Sequence, residues 1–222
     1  MTRFHDRKDA GRQLAERLAS YAAEHPIVLA LPRGGVTVGY EVARALSAPL
    51  DVWVVRKVGV PWQEELGVGA VAEPEYLYLS DSMLRETGLS EARLADVIAS
   101  KRREVAARVQ KFRGGRPRPA LRDRTVIVVD DGIATGGTIR AAVRSMRTEQ
   151  PKQIVLAVPV APPEEVRALE TEVDRVIALL TPANLIAIGY WYDDFTQVSD
   201  DEVVRLLDLA RQEHAAAEPA HA

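Results

Sequence analysis

Thr125-Val126-Ile127-Val128-Val129-Asp130-Asp131-Gly132-Ile133-Ala134-Thr135-Gly136-Gly137-Thr138 is the stretch that decides how this chain folds. Val126 to Val129 form a short, β-branched, uninterrupted apolar run, the pattern of a strand buried on both faces. Asp130 and Asp131 follow without a spacer. A turn built on Gly132, Gly136 and Gly137, with hydroxyls at Thr135 and Thr138, leads into Ile139, Ala142, Val143 and Met146 at helical spacing. In an open α/β sheet, ligands sit outside the carboxyl ends of the strands, so this arrangement marks a site.

Upstream, a related unit appears. Ile27–Leu31 reads as a buried strand closed by Pro32-Arg33-Gly34-Gly35, Val36–Leu46 as a helix, and Leu50–Val55 as a strand terminating in Arg56-Lys57. Strand, turn, helix and strand within about thirty residues make a βαβ unit, which implies parallel pairing and a right-handed crossover. Residues 6–24 carry Leu14, Leu18 and Tyr21 at helical spacing, and Pro26 ends that pattern. Downstream, Gln153–Val160 and Val173–Leu180 read as strands, with a helix over Pro163–Thr171 that has proline in its first turn. Ser199-Asp200-Asp201-Glu202 is a capping box ahead of Val203, Leu206, Leu207 and Ala210. The fold class is α/β: a doubly wound parallel sheet of about five strands flanked by helices. One domain is expected over residues 1–212, with its core at about 25–180, and an Ala-rich disordered tail over residues 213–222.

Two stretches break the alternation. Gly59, Pro61, Gly67 and Gly69 predict a flexible loop over about 57–80, with Val68–Ala72 and Tyr76–Leu79 forming a small hairpin around Glu73-Pro74-Glu75. Residues 81–113 read as helical and run into an arginine-rich segment, 111–124, taken as a solvated connection. Residues 181–198 are irregular and aromatic, a cover for one end of the sheet.

Composition narrows the chemistry. The net charge of −3 with interspersed signs argues against a nucleic-acid surface. No cysteine is present, which excludes disulfides and thiolate chemistry. His5, His25, His214 and His221 lie near the ends or before a proline and form no ligand cluster. No apolar run approaches roughly 18 residues, so no membrane span is expected and a cytoplasmic location is the default.

At the deciding stretch, glycines admit backbone N–H groups close to an anion, the helix N-terminus adds positive partial charge, and threonines donate further bonds: a phosphate cradle. Gly132 and Gly137 have the spacing of a Walker A loop, but Thr138 follows directly and the lysine is missing; no Gly-x-Gly-x-x-Gly follows either early strand. Paired carboxylates would repel a bare polyphosphate. They suit the vicinal hydroxyls of a sugar, a divalent metal, or developing positive charge, and a ribose 5-phosphate meets all three demands.

These residues resemble a known family. Val128–Thr138 is similar to the 5-phosphoribosyl 1-pyrophosphate (PRPP) binding motif of type I phosphoribosyltransferases, and Leu31-Pro32-Arg33-Gly34-Gly35 resembles that family's pyrophosphate loop. The resemblance implies that Asp130 and Asp131 are catalytic, holding the ribose hydroxyls, partly through Mg²⁺. It implies that Ala134, Thr135, Gly136, Gly137 and Thr138 bind the 5-phosphate. Arg33, Gly34 and Gly35 would bind pyrophosphate, with Arg56 or Lys57 adding charge. Residues 181–198, together with the C-terminal helix, would be the hood receiving a nucleobase, with Trp191 and Tyr192 as base-binding candidates. The implied reaction is Mg-dependent transfer of 5-phosphoribose from PRPP to a nucleobase or similar nitrogen acceptor, with pyrophosphate as product and a homodimer as the possible assembly. In the family's 6-oxopurine enzymes an aspartate usually stands where this chain has Ala134, so a hypoxanthine or guanine acceptor is disfavoured. Glu64, Glu65, Asp193 and Asp194 are substitute bases that the sequence does not rank.

Plainer roles stand beside these. Arg33-Gly34-Gly35 reads also as a tight turn, Arg56 and Lys57 as surface charge, Trp191, Tyr192 and Phe195 as packing, and Trp62 as a lid or an interface anchor. The alternative function is a non-catalytic PRPP- or nucleotide-binding regulatory protein of the same fold; a hydrolase of phosphorylated sugars is a third.

Overall fold

The structure, a computed structural model, describes residues 3–217, apart from the side chain of Glu65. In chain order it contains α1 (Arg7–Leu18), β1 (Ile27–Ala30), α2 (Gly34–Ala45), β2 (Leu50–Val52), β3 (Val55–Val60), β4 (Gln63–Ala72), β5 (Tyr76–Leu79), α3 (Asp81–Thr87), α4 (Glu91–Arg113), β6 (Thr125–Val129), α5 (Gly137–Arg147), β7 (Gln153–Val160), α6 (Pro163–Leu169), β8 (Arg175–Leu180) and α7 (Asp200–Ala217). A five-stranded parallel sheet has the order β2-β1-β6-β7-β8, and β3-β4-β5 form a separate antiparallel sheet. The central position of β6 carries the acid-tipped strand into the middle of the sheet, paired with β1 on one side and β7 on the other.

The buried strands face two cores, as their uninterrupted apolar runs require. Val28, Ala30, Ile127, Val129 and Val155 point to the side covered by α1, α2 and α7. Ile27, Leu29, Val126, Val128 and Leu156 point to the side covered by α5 and Leu169 of α6. Each valine, leucine or isoleucine among them, fully withdrawn from water, contributes about 1.5–3 kcal/mol. Helix signals follow the expected chemistry: Asp6 caps α1 by accepting from the Asp9 N–H, and Gly88 and Gly114 end α3 and α4 in the left-handed conformation. Only half of the capping box at α7 forms. Ser199 accepts from the Glu202 N–H at 3.1 Å, while the Glu202 carboxylate turns to Arg205.

Several expectations are corrected. The strand read over Leu50–Val55 ends at Val52. The chain leaves the parallel sheet at Trp53 and re-enters an antiparallel pairing at Val55, so Arg56 and Lys57 lie inside β3 rather than beyond a parallel strand. Trp53, fully buried, fixes the departure by donating from Nε1 to Ser145 Oγ of α5 at 2.7 Å. The stretch expected as a flexible loop is therefore largely sheet: β3 and β4 pair from Val55↔Ala72 to Val60↔Gln63, interrupted by irregularities around Gly59, and turn at Pro61-Trp62. The hairpin expected around Glu73-Pro74-Glu75 forms between β4 and β5. Residues 181–198 remain irregular except for a 3₁₀ turn at Ile188–Trp191, and are stitched to the N-terminal segment through the Phe4–Tyr192 bridge. Glu213–Ala217, expected to fray, complete α7, and residues 218–222 lie outside the described residues.

In the arginine-rich segment Lys111, Arg116, Arg122 and Arg124 are exposed, in keeping with a solvated connection, and Arg113 departs from it. Arg113 is 2% exposed; its Nε donates to Asp51, Nη1 to Glu73 and Nη2 to the Val52 carbonyl. Burial alone would lower the guanidinium's pKa, but Glu73 and Asp51 hold it raised; burial pushes the Glu73 carboxyl up against the pull of Arg113. Glu73 also accepts from the Val54 N–H at 2.7 Å. One buried arginine thus joins α4, β2 and the β4–β5 turn.

Candidate functional site

Two strand ends and the first residues of β3 converge. Leu31, Pro32, Arg33 and Gly34 after β1, Arg56 and Lys57 from β3, and Asp130 and Asp131 after β6 line one cleft of about 490 Å³, together with Thr138, Glu64 and Lys101. A neighbouring cavity of about 320 Å³ runs past Lys57 to Thr135, Gly137, Thr138 and Arg140. Of the expected pyrophosphate, ribose and phosphate residues, Arg33, Gly34, Arg56, Lys57, Asp130, Asp131, Thr135, Gly137 and Thr138 line two adjoining spaces that share Lys57 and Thr138, whereas Gly35, Ala134 and Gly136 line neither.

Close approach explains the glycines after β1. A Cβ on Gly34 would lie 1.8 Å from Asp131 Oδ2, and one on Gly35 would lie 2.8 Å from the Val129 carbonyl. The N-terminus of α2 is thus packed directly on the acid pair. Gly34→Ala is expected to push Asp131 aside, lowering kcat/KM for the reaction assigned below by about a hundredfold and costing about 1–3 kcal/mol of stability. Steady-state rates and a melting curve on the same variant check both numbers. At the other end of the site, Ala134, Thr135, Gly137 and Thr138 are exposed, and Gly136, at φ 66°, is the N-cap of α5. The loop carbonyl of Thr135 is held by Arg140 at 2.9 Å, and Arg140 is itself held by Glu165 at 2.8 Å. This leaves a fixed turn with exposed backbone at a helix N-terminus, the geometry that receives an anion.

The acid pair is tightly constrained. Asp130 accepts from the Asp131 N–H at 2.9 Å, and Asp131 receives the Arg7 Nε at 2.7 Å. Burial, reinforced by the neighbouring Asp131 charge, pushes the Asp130 carboxyl well above the usual carboxylate range; burial also raises Asp131, against the opposing pull of Arg7. Arg7 is a partner of the acid pair that the sequence reading missed. It looks like a surface charge opening an amphipathic helix, yet it is 8% exposed, donates to the Thr196 carbonyl at 2.8 Å and stacks 3.8 Å from the Phe195 ring centroid. Lys101 was also missed: it lines the cleft from α4 and pairs with Glu104 at 2.9 Å and Glu64 at 3.7 Å.

The basic wall is partly neutralised by the protein itself. Arg33 lies 3.9 Å from Asp200, and Arg56 lies 3.6 Å from Glu104, its pKa lowered by burial and by the nearby Arg108 charge. Trp191 and Tyr192, expected to receive a base, do not line the cleft. Trp191 donates to the Leu185 carbonyl at 3.1 Å, and Tyr192, 1% exposed, packs on Phe4 and donates to the Asp131 carbonyl at 2.6 Å. Tyr192 is thereby a support beneath the acid pair, and Trp191 packs in the small cluster with Phe4 and Val160. Of the substitute bases, Glu64 lines the cleft, Asp193 pairs with Arg3 at 3.4 Å, Asp194 accepts from Thr196, and the Glu65 side chain lies outside the described residues.

The donor set bears on a metal. Among the described residues no group of three or more His, Cys, Asp or Glu side chains converges on one point. A closed, all-protein cation cage is therefore not built. One or two carboxylates completed by substrate oxygens is the manner in which Mg²⁺ is commonly held, and Asp130 and Asp131 fit that manner.

Comparisons with known proteins bear on the family. A family model described as a phosphoribosyl transferase domain matches residues 2–194. The chain is 48% identical over 217 residues to the Mycobacterium tuberculosis H37Rv protein named "Putative phosphoribosyl transferase Rv0571c", covering 98% of this chain and 49% of the relative. The counterpart in strain CDC 1551 matches to the same extent. The chain thus spans about half the length of these relatives. The crystal structure of TT1426 from Thermus thermophilus superposes with a TM-score of 0.81 at 43% identity, covering 93% of this chain and 98% of that one. No helix among the described residues is long and apolar enough to cross a membrane.

Proposed function

The chain belongs to the phosphoribosyl transferase domain family, and on that premise we propose that it transfers 5-phosphoribose from PRPP to a nitrogen acceptor with release of pyrophosphate, in a Mg-dependent reaction. The observation that carries this reading is the placement of an acid pair between an anion-receiving turn and a basic wall in adjoining cavities. The turn over Ala134–Thr138 and the first N–H groups of α5 take the 5-phosphate. Asp130 and Asp131 accept hydrogen bonds from the ribose hydroxyls, and their charge favours the cation that develops on the ring as the bond from C1 to the pyrophosphate oxygen lengthens. Arg33, Arg56, Lys57 and Lys101 face the departing pyrophosphate. Asp130 and Asp131 would hold Mg²⁺, which when bound supplies Lewis-acid stabilisation of the leaving oxygen. The acceptor nitrogen forms its bond to C1 as pyrophosphate leaves, and the methyl of Ala134 offers no group to take the acceptor's proton. Glu64 is the further carboxylate lining the cleft.

A second reading rests on Arg7. Its ion pair with Asp131 occupies a carboxylate that the ribose would use, which suits a protein that binds PRPP or a nucleotide without turning it over. Pyrophosphate release from PRPP, measured with Mg²⁺ across a panel of nucleobases, decides between them. Base-dependent release is the expected result. Binding without release would favour the binding protein, and release without any base would indicate a hydrolase. The same panel names the acceptor.

A further inference from the structure

A further cavity does not belong to the cleft. It measures about 540 Å³ and shares no lining residue with either space described above. It lies on α4, on the face roughly opposite the one that presents Lys101, Glu104 and Arg108 to the cleft side. Its volume falls within the roughly 300–1,000 Å³ that small-molecule sites occupy.

Two chemistries meet in its lining. Val71, Val105, Ala106 and Val109 give it an apolar floor. Arg102, Arg103, Arg116 and Arg118 stand around it. The acids do not balance them: Glu73 is committed to Arg113 and the Val54 N–H, which leaves Glu75. Arg118 is tied to Glu149 at 2.8 Å and lies over the Trp53 ring, whereas Arg102 and Arg103 make no ion pair with any described residue. The back wall is Arg113, buried and bonded to Asp51, Glu73 and the Val52 carbonyl, so the cavity is braced before any ligand arrives. Planar guanidinium groups over an apolar floor match a phosphate ester attached to a ring.

The geometry points to a second binding site, in which this cavity takes a small amphipathic anion, its ring on the Val71–Val105–Val109 floor and its phosphate on Arg102 and Arg103. The site does not depend on the transferase activity and is tested without it. Titration calorimetry of the full chain with 1-naphthyl phosphate, in the presence of saturating ribose 5-phosphate to fill the turn over Ala134–Thr138, is expected to show one saturable site. Inorganic phosphate and 1-naphthol, each lacking one half of the chemistry, bind at least about tenfold more weakly. Arg102→Ser with Arg103→Ser weakens the aryl phosphate by at least about tenfold at an unchanged melting temperature, and Ala106→Trp, which fills the cavity, abolishes binding. Arg56→Ser with Lys57→Ser, which strips charge from the cleft, leaves it unaltered. The proposal is overturned if 1-naphthyl phosphate shows no saturable binding, if binding survives intact in the Arg102/Arg103 variant, or if it falls in the Arg56/Lys57 variant instead. The Arg102 and Arg103 positions are exposed and carry the test even if the tryptophan variant does not fold.

Discussion

Replacing Asp130 and Asp131 by asparagine is expected to remove base-dependent pyrophosphate release, while Asp130→Asn alone, which leaves the Arg7–Asp131 ion pair in place, makes the fold more stable. Each asparagine keeps the shape and can still accept one hydrogen bond, but the charge facing the developing ring cation is gone. Loss of one such electrostatic contact costs about 10²–10³-fold in kcat, and loss of both should leave no measurable turnover. The stability gain follows from the same burial. Asp130 is held well above the usual carboxylate range by burial and by its neighbour, so between its unfolded value, about 3.9, and its higher folded value the native state binds more protons than the unfolded chain. Stability therefore falls as pH rises through that window, and at neutral pH the ionised pair is a net burden. Asp130→Asn removes the burden and should raise the melting temperature at pH 7, by roughly 2–4 °C for each kcal/mol recovered, with a smaller gain at pH 5. Activity of the unaltered protein should fail on acidification at a higher pH than an ordinary carboxylate would set. Turnover surviving in the doubly substituted protein would contradict the assigned role. A lowered melting temperature of Asp130→Asn at pH 7 would contradict the electrostatic account.

The largest loss of stability is expected at Arg113→Met. Removing one member of a buried ion pair leaves an uncompensated charge and costs about 3–5 kcal/mol. Here Glu73 is 3% exposed and would lose its cation, while Asp51 and the Val52 carbonyl lose a donor. For a chain of this size the melting temperature should fall by roughly 6–20 °C. Arg113→Met combined with Glu73→Leu should recover much of that, because the orphaned carboxylate is gone. A single variant melting within a degree or two of the parent would show that the network contributes nothing net.

Both predictions concern groups that local sequence reads very differently. Asp130 and Asp131 are legible because strand, acids, glycine turn and helix are contiguous, and each element's signal reinforces the next. The sheet around them is legible for the same reason, since parallel strands buried on both faces write themselves as apolar runs. Arg113 is not, because its partners are contributed by Asp51 and Glu73, distant in the chain, and its own neighbours are glycine, arginine and proline. Arg7 fails in the same way: its ion pair with Asp131 spans 124 positions. At Leu50–Val55 the apolar run is continuous across a change of sheet, and pattern alone cannot show where the chain stops pairing with β1. Trp191 and Tyr192 mislead because an aromatic residue that stacks on a ligand and one that supports a carbonyl from below have the same sequence. The Tyr192 bond to the Asp131 backbone stands beside backbone bonds that join Phe4 and His5 to residues 191–194, contacts between segments far apart in the chain.

The β3–β4 turn has a consequence for observation. The chain has three tryptophans, and they sit at distinct depths: Trp53 fully enclosed, Trp191 at 7% exposure and Trp62, at the hairpin tip, at 64%. A collisional quencher such as iodide should therefore extinguish one indole and spare the other two, giving an emission that shifts to the blue as quenching proceeds. The hairpin flanks the cleft through Gly59 and Glu64. Any movement that lays its tip over a bound ligand should then be recorded as light, in the unlabelled protein, on the timescale of a stopped-flow mixer.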